Sequence, residues 1–256
     1  MPATPDEGRG IKSTRTTFAI VEALHDTRRA RLTELADRVG IANSTAHEHL
    51  ATLQELGYVV EEDGEFGLSL KFLDHGTQAK RRYRDLVEAS TPALEGLVAE
   101  TDETVNLVVE EHGQAVYVDR LTGERGVPTN SWVGKRKPLH AISAGKAILA
   151  HLPEDRLEAI VAGRELPPAT DRTITAREQL QRELEEIRER GVSFNDRESH
   201  DRIRAVGTPI VLDGHVHGAV SVAGPAKRLT GEYFRTEIPD LLLGAVNEIE
   251  LKLTYR

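Results

Sequence analysis

Residues 34–69 read ELADRVGIANSTAHEHLATLQELGYVVEEDGEFGLS, and they decide the architecture of the N-terminal part of the chain. Leu32, Leu35, Ala36 and Val39 recur at helical spacing and predict a short amphipathic helix. Thr33 is placed as its N-cap, and Gly40 ends it in a left-handed conformation. Asn43 or Ser44 is placed as the cap of a second helix, with Ala46, Leu50 and Leu53 as its buried stripe and Gly57 as its stop. Two short helices joined by a tight glycine-containing turn are a helix-turn-helix signature. Asp63-Gly64 then marks a two-residue hairpin, with Val60 and Phe66 as its apolar strand positions. Upstream, Ile11, Phe18, Val21 and Leu24 form a further helical stripe, followed by the basic stretch Arg28–Arg31. Three helices and a hairpin make a winged helix-turn-helix. Away from its apolar stripe the second helix offers Ser44, Thr45, His47, Glu48 and Thr52, small or polar groups suited to phosphates and base edges in a major groove. Arg15, Thr33 and Asn43 are placed with them as candidate DNA-binding residues.

Residues 69–84 predict a helix with Leu70, Leu73 and Ala79 among its apolar positions. It carries Lys80, Arg81, Arg82 and Arg84, which suit a solvated helix face and phosphate contact equally. A helix from Tyr83 to Thr101 must accommodate Pro92 near a break or in a first turn. Beyond it, Thr104–Glu110 and Ala115–Leu121 read as strands of one hairpin. Ile203–Leu212 and Val216–Ala223 flank Asp213-Gly214 as a second hairpin. Helical periodicity returns from Ser143 to His151, over 153–163 and 176–190, and in a final helix bearing Phe234, Ile238, Leu241, Leu242, Ala245, Ile249 and Leu253. Antiparallel hairpins with helices packed at the ends predict an α+β domain. The resulting division is a flexible arm over 1–10, a winged helix-turn-helix over 11–69, a linker helix over 70–86 and an α+β domain over 87–256.

The bulk properties bound the function. The chain of 256 residues has no cysteine, which excludes disulfides, thiol catalysis and cysteine-based zinc sites. No stretch approaches the roughly 20 apolar residues that span a bilayer, and the N-terminus has no signal-peptide core, so a cytoplasmic protein is expected. The formal net charge of −9 argues against sequence-independent coating of nucleic acid. Acidic residues outnumber basic ones and Arg outnumbers Lys, a composition suited to a salt-rich, halophilic cytoplasm.

Three runs together resemble the IclR family of transcription regulators along nearly the whole chain. They are residues 34–69 above, GKRKPLHAISAGKAILAHLP at 134–153, and ERGVSFNDRESHDRIRAVGTPIVLDGHVHGAVSVAGPAKRL at 189–229. The resemblance implies a winged helix-turn-helix, a linker helix and a GAF-like effector domain. It also implies a homodimer or homotetramer, a partly palindromic double-stranded DNA operator and a small-molecule effector such as a sugar-derived or organic acid. Ser44 and Thr45 match the family's Ser-Thr pair at the start of the recognition helix. Effector contacts carried over from the family fall on Ser143 and Ala144, Asn195 and Glu198, Ala205, and Ser221 and Ala223, around one cavity at the sheet edge. The sequence departs from the family pattern at Glu48, where a basic residue is usual, in the acidic wing (Glu61, Glu62, Asp63, Glu65), at Arg202 in place of Gly, and at Asn195 in place of Asp.

Other chemistry is weighed and set lower. His215 and His217 alternate along a strand and could bind metal with His200 or Glu198, but a hairpin with two exposed histidines is the favoured reading, and no metal site is assigned. Gly134-Lys135-Arg136-Lys137 and Gly145-Lys146 lack P-loop spacing and are read as structural. His140 near Ser143 has neither a nucleophile elbow nor an orienting acid, so Ser143 is read as a helix cap. Trp132, the single tryptophan, is read as core or interface. No catalytic residue and no cofactor are expected. The competing reading is a metabolite-binding enzyme with a helix-turn-helix interaction module.

Overall fold

The computed structural model describes residues 10–127, 131–162 and 165–255, so the sequence reading of the arm falls almost wholly outside the described residues. The chain divides into two compact units between Arg81 and Arg82.

The first unit runs α1 (Lys12–Thr27), β1 (Arg29–Ala30), α2 (Leu32–Val39), α3 (Asn43–Glu55), β2 (Val59–Glu62), β3 (Glu65–Leu68) and α4 (Lys71–Lys80). Its core joins Ile20, Leu24, Leu35, Leu50, Leu53, Val59 and Phe66. The α1 stripe differs from the expected one. Ile20, Val21, Ala23 and Leu24 are buried, whereas Ile11 is 71% and Phe18 57% exposed. At about 100° per residue, Ile11 and Phe18 project from the side opposite the Ile20–Leu24 face, and the spacings of seven and three that included them matched the period but not the phase. The basic stretch Arg28–Arg31 contains a strand: β1 pairs with β3, giving the sheet order β1-β3-β2. Asp63 (φ 54°) and Gly64 (φ 77°) both adopt the left-handed conformation that a tight hairpin turn requires. Val59, not Val60, faces the core; Val60 is exposed. Strand side chains alternate, so a one-residue phase error turns the apolar side outward.

Helix caps also differ from expectation. Arg31 occupies the N-cap of α2, its backbone N–H donating to the Glu34 carboxylate at 2.8 Å, and Thr33 lies inside the helix. Ala42 precedes α3, so Asn43 and Ser44 are its first helical residues and neither side chain makes a cap hydrogen bond. α4 is shorter than expected and has no buried residue.

A single 3₁₀ turn at Arg81–Tyr83 spans the division, and the second unit continues as α5 (Arg84–Thr101). Pro92 sits in the interior of this helix rather than at its start. It lies on the exposed face of the helix, away from the core. The strands are β4 (Thr104–Glu111), β5 (Gln114–Thr122), β6 (Arg136–Pro138), β7 (Ser193–Asp196), β8 (Ile203–Leu212) and β9 (His215–Pro225). Among the described residues these form one antiparallel sheet in the order β6-β5-β4-β9-β8-β7. The short edge strands β6 and β7 were not separated from their surroundings by the sequence pattern. Both long hairpins turn through a pair of positive-φ residues, His112-Gly113 and Asp213-Gly214.

Both sheet faces are covered. On one, Val105, Leu107, Val206, Val220 and Val222 pack against α5 and α9 (Ile238–Thr254) through Leu94, Leu97, Leu242 and Ile249. On the other, Val108, Tyr117 and Ala219 meet α6 (Ser143–His151), α7 (Glu154–Val161) and α8 (Arg177–Arg190) through Ile148, Leu149, Ile160, Leu180 and Leu184. Successive residues of β4 therefore serve opposite cores, which is why the strand reads as a nearly continuous apolar run. Gly207 lets α6 approach the sheet: a Cβ there would lie 2.7 Å from the Ala144 nitrogen.

Candidate functional site

In the first unit α3 is anchored on one side by Ala46, Leu50 and Leu53, all buried. Its position against α1 is held by a 2.8 Å hydrogen bond between Thr17 Oγ1 and His49 Nδ1. Asn43, Ser44, His47, Glu48 and Thr52 are exposed on the remaining surface and Thr45 is half-buried. The Thr52 hydroxyl donates to the Glu48 carbonyl at 2.9 Å, which leaves its lone pairs for an outside donor. Arg15 and Thr33 are exposed on α1 and α2. The wing is acidic and partly neutralised from within: Arg29 pairs with Glu62 at 2.5 Å, and Gln54 donates to Glu61 at 3.1 Å.

The second unit holds a cavity between the sheet and the first turn of α6. Strand register builds its floor. Asn195, Ala205, Ala223 and Thr104 lie side by side across four strands, and Ser193, Gly207, Ser221 and Asn106 form the next row on the same face. Small side chains in these rows leave a gap that longer residues would fill. The resulting space is about 350 Å³ including its open mouth. Ser143, Asn195, Ala205, Ser221 and Ala223 line it together with Asn106, Tyr117, Ser131 and Lys137.

Five of the seven expected effector positions therefore meet at one cavity. Ala144 is buried under α6 against Gly207 and does not line it. Glu198 is also turned away: both its carboxylate oxygens accept from Lys146 Nζ, at 2.9 and 2.8 Å. Lys146 is 1% exposed and also meets Glu183 at 3.4 Å. Burial raises the Glu198 carboxyl above its ordinary pKa against the opposing pull of Lys146. The sequence signal missed here was Lys146 itself, a cation inside an apolar helix that needs a buried counter-charge. Asn195 is a clamp. Its Nδ2 donates to the Ala141 carbonyl at 2.8 Å and its Oδ1 accepts from the Glu198 N–H at 3.1 Å, tying the turn before α6 to the β7–β8 connection.

Asn106 and Tyr117 were not singled out from sequence, and Lys137 was read there as structural. Asn106 is an amide within the apolar run Val105–Val109, and its place in that run is the signal that could have found it. It is 3% exposed, its Nδ2 reaches Ser221 Oγ at 3.4 Å, and its Oδ1 has no partner among the described residues. The Lys137 ammonium lies 5.9 Å from the Tyr117 ring. Burial, and next the charge of Lys135, push the Lys137 pKa below the usual lysine value.

The remaining candidates are placed elsewhere. His140 Nε2 lies 3.2 Å from the Pro167 carbonyl, and burial lowers its pKa. His215 and His217 are exposed on β9, and among the described residues no three potential ligands cluster for a metal. Trp132 is 42% exposed with the Lys135 ammonium 4.3 Å from its ring, so it is not a core residue. Arg202, the departure from the family's Gly, is exposed.

The sequence pattern of the family described as bacterial transcriptional regulator IclR, C-terminal, matches residues 79–251, and that of the IclR helix-turn-helix domain matches 14–63. The chain belongs to the IclR family. It is a transcription regulator of this type, with a helix-turn-helix DNA-binding domain followed by an α+β effector-binding domain. A probable HTH-type transcriptional regulator ArcR of Halobacterium salinarum is 32% identical, over 98% of this chain and 97% of that protein. The crystal structure of the Thermotoga maritima IclR is similar with a TM-score of 0.76 and 30% identity, covering 94% of this chain and 98% of the other. An IclR homologue of Microbacterium hydrocarbonoxydans, crystallised with 4-hydroxybenzoate, shares the fold at 22% identity and a TM-score of 0.79, covering 96% and 100%. Among the described residues no helix is long and apolar enough to cross a membrane.

Proposed function

We propose that this IclR-type regulator acts in the cytoplasm as a homodimer or homotetramer that reads a partly palindromic operator through α3 and binds a small organic acid in the sheet–α6 cavity. The observation that carries the reading is the division of labour on α3. Its apolar side anchors the helix, while Asn43, Ser44, His47, Glu48 and Thr52 are exposed where a major groove would meet them. Arg15 and Thr33 support the phosphate backbone, and Glu48 accepts from a cytosine amino group. The acidic wing makes the phosphate contribution small, so base-edge contacts carry more of the affinity. Apolar side chains on the surface of the first unit, Ile11, Phe18, Leu70 and Leu73, supply area for a second copy. Ser143, Asn195, Ala205, Ser221 and Ala223 surround the effector. It is bound without turnover, since His140 is engaged with Pro167 rather than with Ser143.

Selection of bound duplexes from a random library, in moderate and in molar potassium chloride, tests this reading. Recovery of a partly palindromic motif is expected. Ser44→Ala and His47→Ala should each relax specificity at defined base pairs, by about 1–3 kcal/mol per affected pair. Folded protein that selects no motif at either salt would remove the operator-binding proposal.

A further inference from the structure

We propose that Lys137 and Asn106 are specificity-determining residues of the cavity: Lys137 holds a carboxylate and Asn106 accepts from a hydroxyl, so the ligand is a small hydroxymonocarboxylate. The inference rests on the effector reading of that cavity given above and assigns its chemistry.

The first argument is charge. Among the described residues no carboxylate lines the cavity, in a chain whose formal net charge is −9. Three acidic side chains close to it in sequence or register are held by other cations. Asp196 accepts from Arg204 at 2.7 Å and Arg197 at 3.0 Å, Glu198 is held by Lys146, and Glu103 accepts from Arg228 at 2.7 and 2.6 Å. Lys137 thus lines the cavity, and among the described residues no acidic group acts on it. Its depressed pKa means that the surroundings penalise the bare ammonium, and an incoming carboxylate relieves that penalty. One lining cation matches one negative charge; a second carboxylate would be left among amides and hydroxyls.

The second argument is hydrogen bonding. A buried carbonyl oxygen without a donor is costly, and Asn106 Oδ1 is one such atom, on the cavity wall beside Ser221. A ligand hydroxyl satisfies it; a methyl in the same place does not. Rejection of an analogue lacking a hydrogen-bonding group is strong where the site's own polar group is then left unpaired.

Isothermal titration of the full chain tests this with three acids: lactate, glycerate and 4-hydroxybenzoate. Each is compared with its amide, and lactate and 4-hydroxybenzoate also with propionate and benzoate. At least one hydroxy acid should bind, and its amide and its deoxy analogue should each bind about tenfold or more weakly. Lys137→Met should abolish the preference for acid over amide, and Lys137→Arg should keep it. Asn106→Ala should abolish the preference for hydroxy acid over deoxy acid while keeping that for acid over amide. Binding of none of the acids by folded protein, equal affinity for acid and amide, or an unchanged preference in a folded Lys137→Met variant would overturn the proposal. If Lys137→Met does not fold, the comparison of acid with amide in the unaltered chain decides. Operator selection is read separately. A recovered motif without acid discrimination overturns only this inference, and acid discrimination without a motif overturns only the operator reading.

Discussion

At the scale of single residues, Lys146 and its partner Glu198 form a buried ion pair. Removing one member of a buried pair strands the other, at a cost of about 3–5 kcal/mol. Lys146→Met should therefore lower unfolding stability by that order in denaturant titration at fixed salt, and Lys146→Met with Glu198→Leu should cost clearly less than Lys146→Met alone. The sign of the pH effect follows from Glu198, whose carboxyl is raised by burial even with Lys146 present. In Lys146→Met it rises further, so the folded state gains protons more readily than the unfolded one. The deficit should shrink as pH falls towards the ordinary carboxyl value of 4.5. A deficit that is flat with pH would show that lost packing, not charge, is responsible. Asp196 works the other way. Its hydrogen bond from Arg204, helped by Arg197, lowers its pKa to about 2. That stabilisation is present above the ordinary value of 3.8 and is lost as pH falls towards 2. Asp196→Asn should flatten this limb of an acid-unfolding curve.

At the scale of elements, the cavity depends on how closely α6 approaches β8. A Cβ on Gly207 would meet backbone atoms of Ser143 and Ala144 at 2.8 and 2.7 Å, and backbone cannot rotate away as a side chain can. Gly207→Ala should cost about 1–3 kcal/mol and speed amide exchange in the first turn of α6. Unchanged exchange and stability would mean that α6 is not seated against the strand. The three two-residue turns were legible at this scale, because Asp-Gly and His-Gly pairs admit the positive φ values that the hairpins need. Helix ends were less legible. Arg31 and Ala42 hold the N-cap positions of α2 and α3 although Thr33, Asn43 and Ser44 have the favoured side chains, because the bend of the chain places the caps one or two residues earlier.

At the scale of the whole molecule, the proposed regulation is a coupling free energy between two sites and must be reciprocal. If a hydroxy acid weakens operator binding by some factor, operator must weaken acid binding by the same factor. Titration of the acid with and without saturating operator measures this directly, and a ligand with equal affinity in both conditions cannot be the switch. The expected coupling is about 5–150-fold, typical of allosteric proteins.

Local patterns along the chain encode the elements and the family. Period-3.6 and period-2 patterns and paired turn residues report backbone conformation locally, and the ordered blocks around Ser44-Thr45, Pro138–Lys146 and Val222–Pro225 carry the family resemblance. Tertiary structure decided the rest. Which side of α1 is buried, whether Val59 or Val60 points inward, and which strand lies beside which are matters of phase and register, and a one-residue shift reverses them without changing the pattern. The cavity is likewise a product of register, since Asn106, Ser221, Ala205 and Asn195 come from four strands whose alignment no local spacing encodes. Glu198 and Lys137 make the same point. In sequence Glu198 is carried over as an effector contact and Lys137 is read as structural; only the fold places Lys146 against the first and leaves the second facing the cavity, because electrostatic partners are set by distance in space and not along the chain.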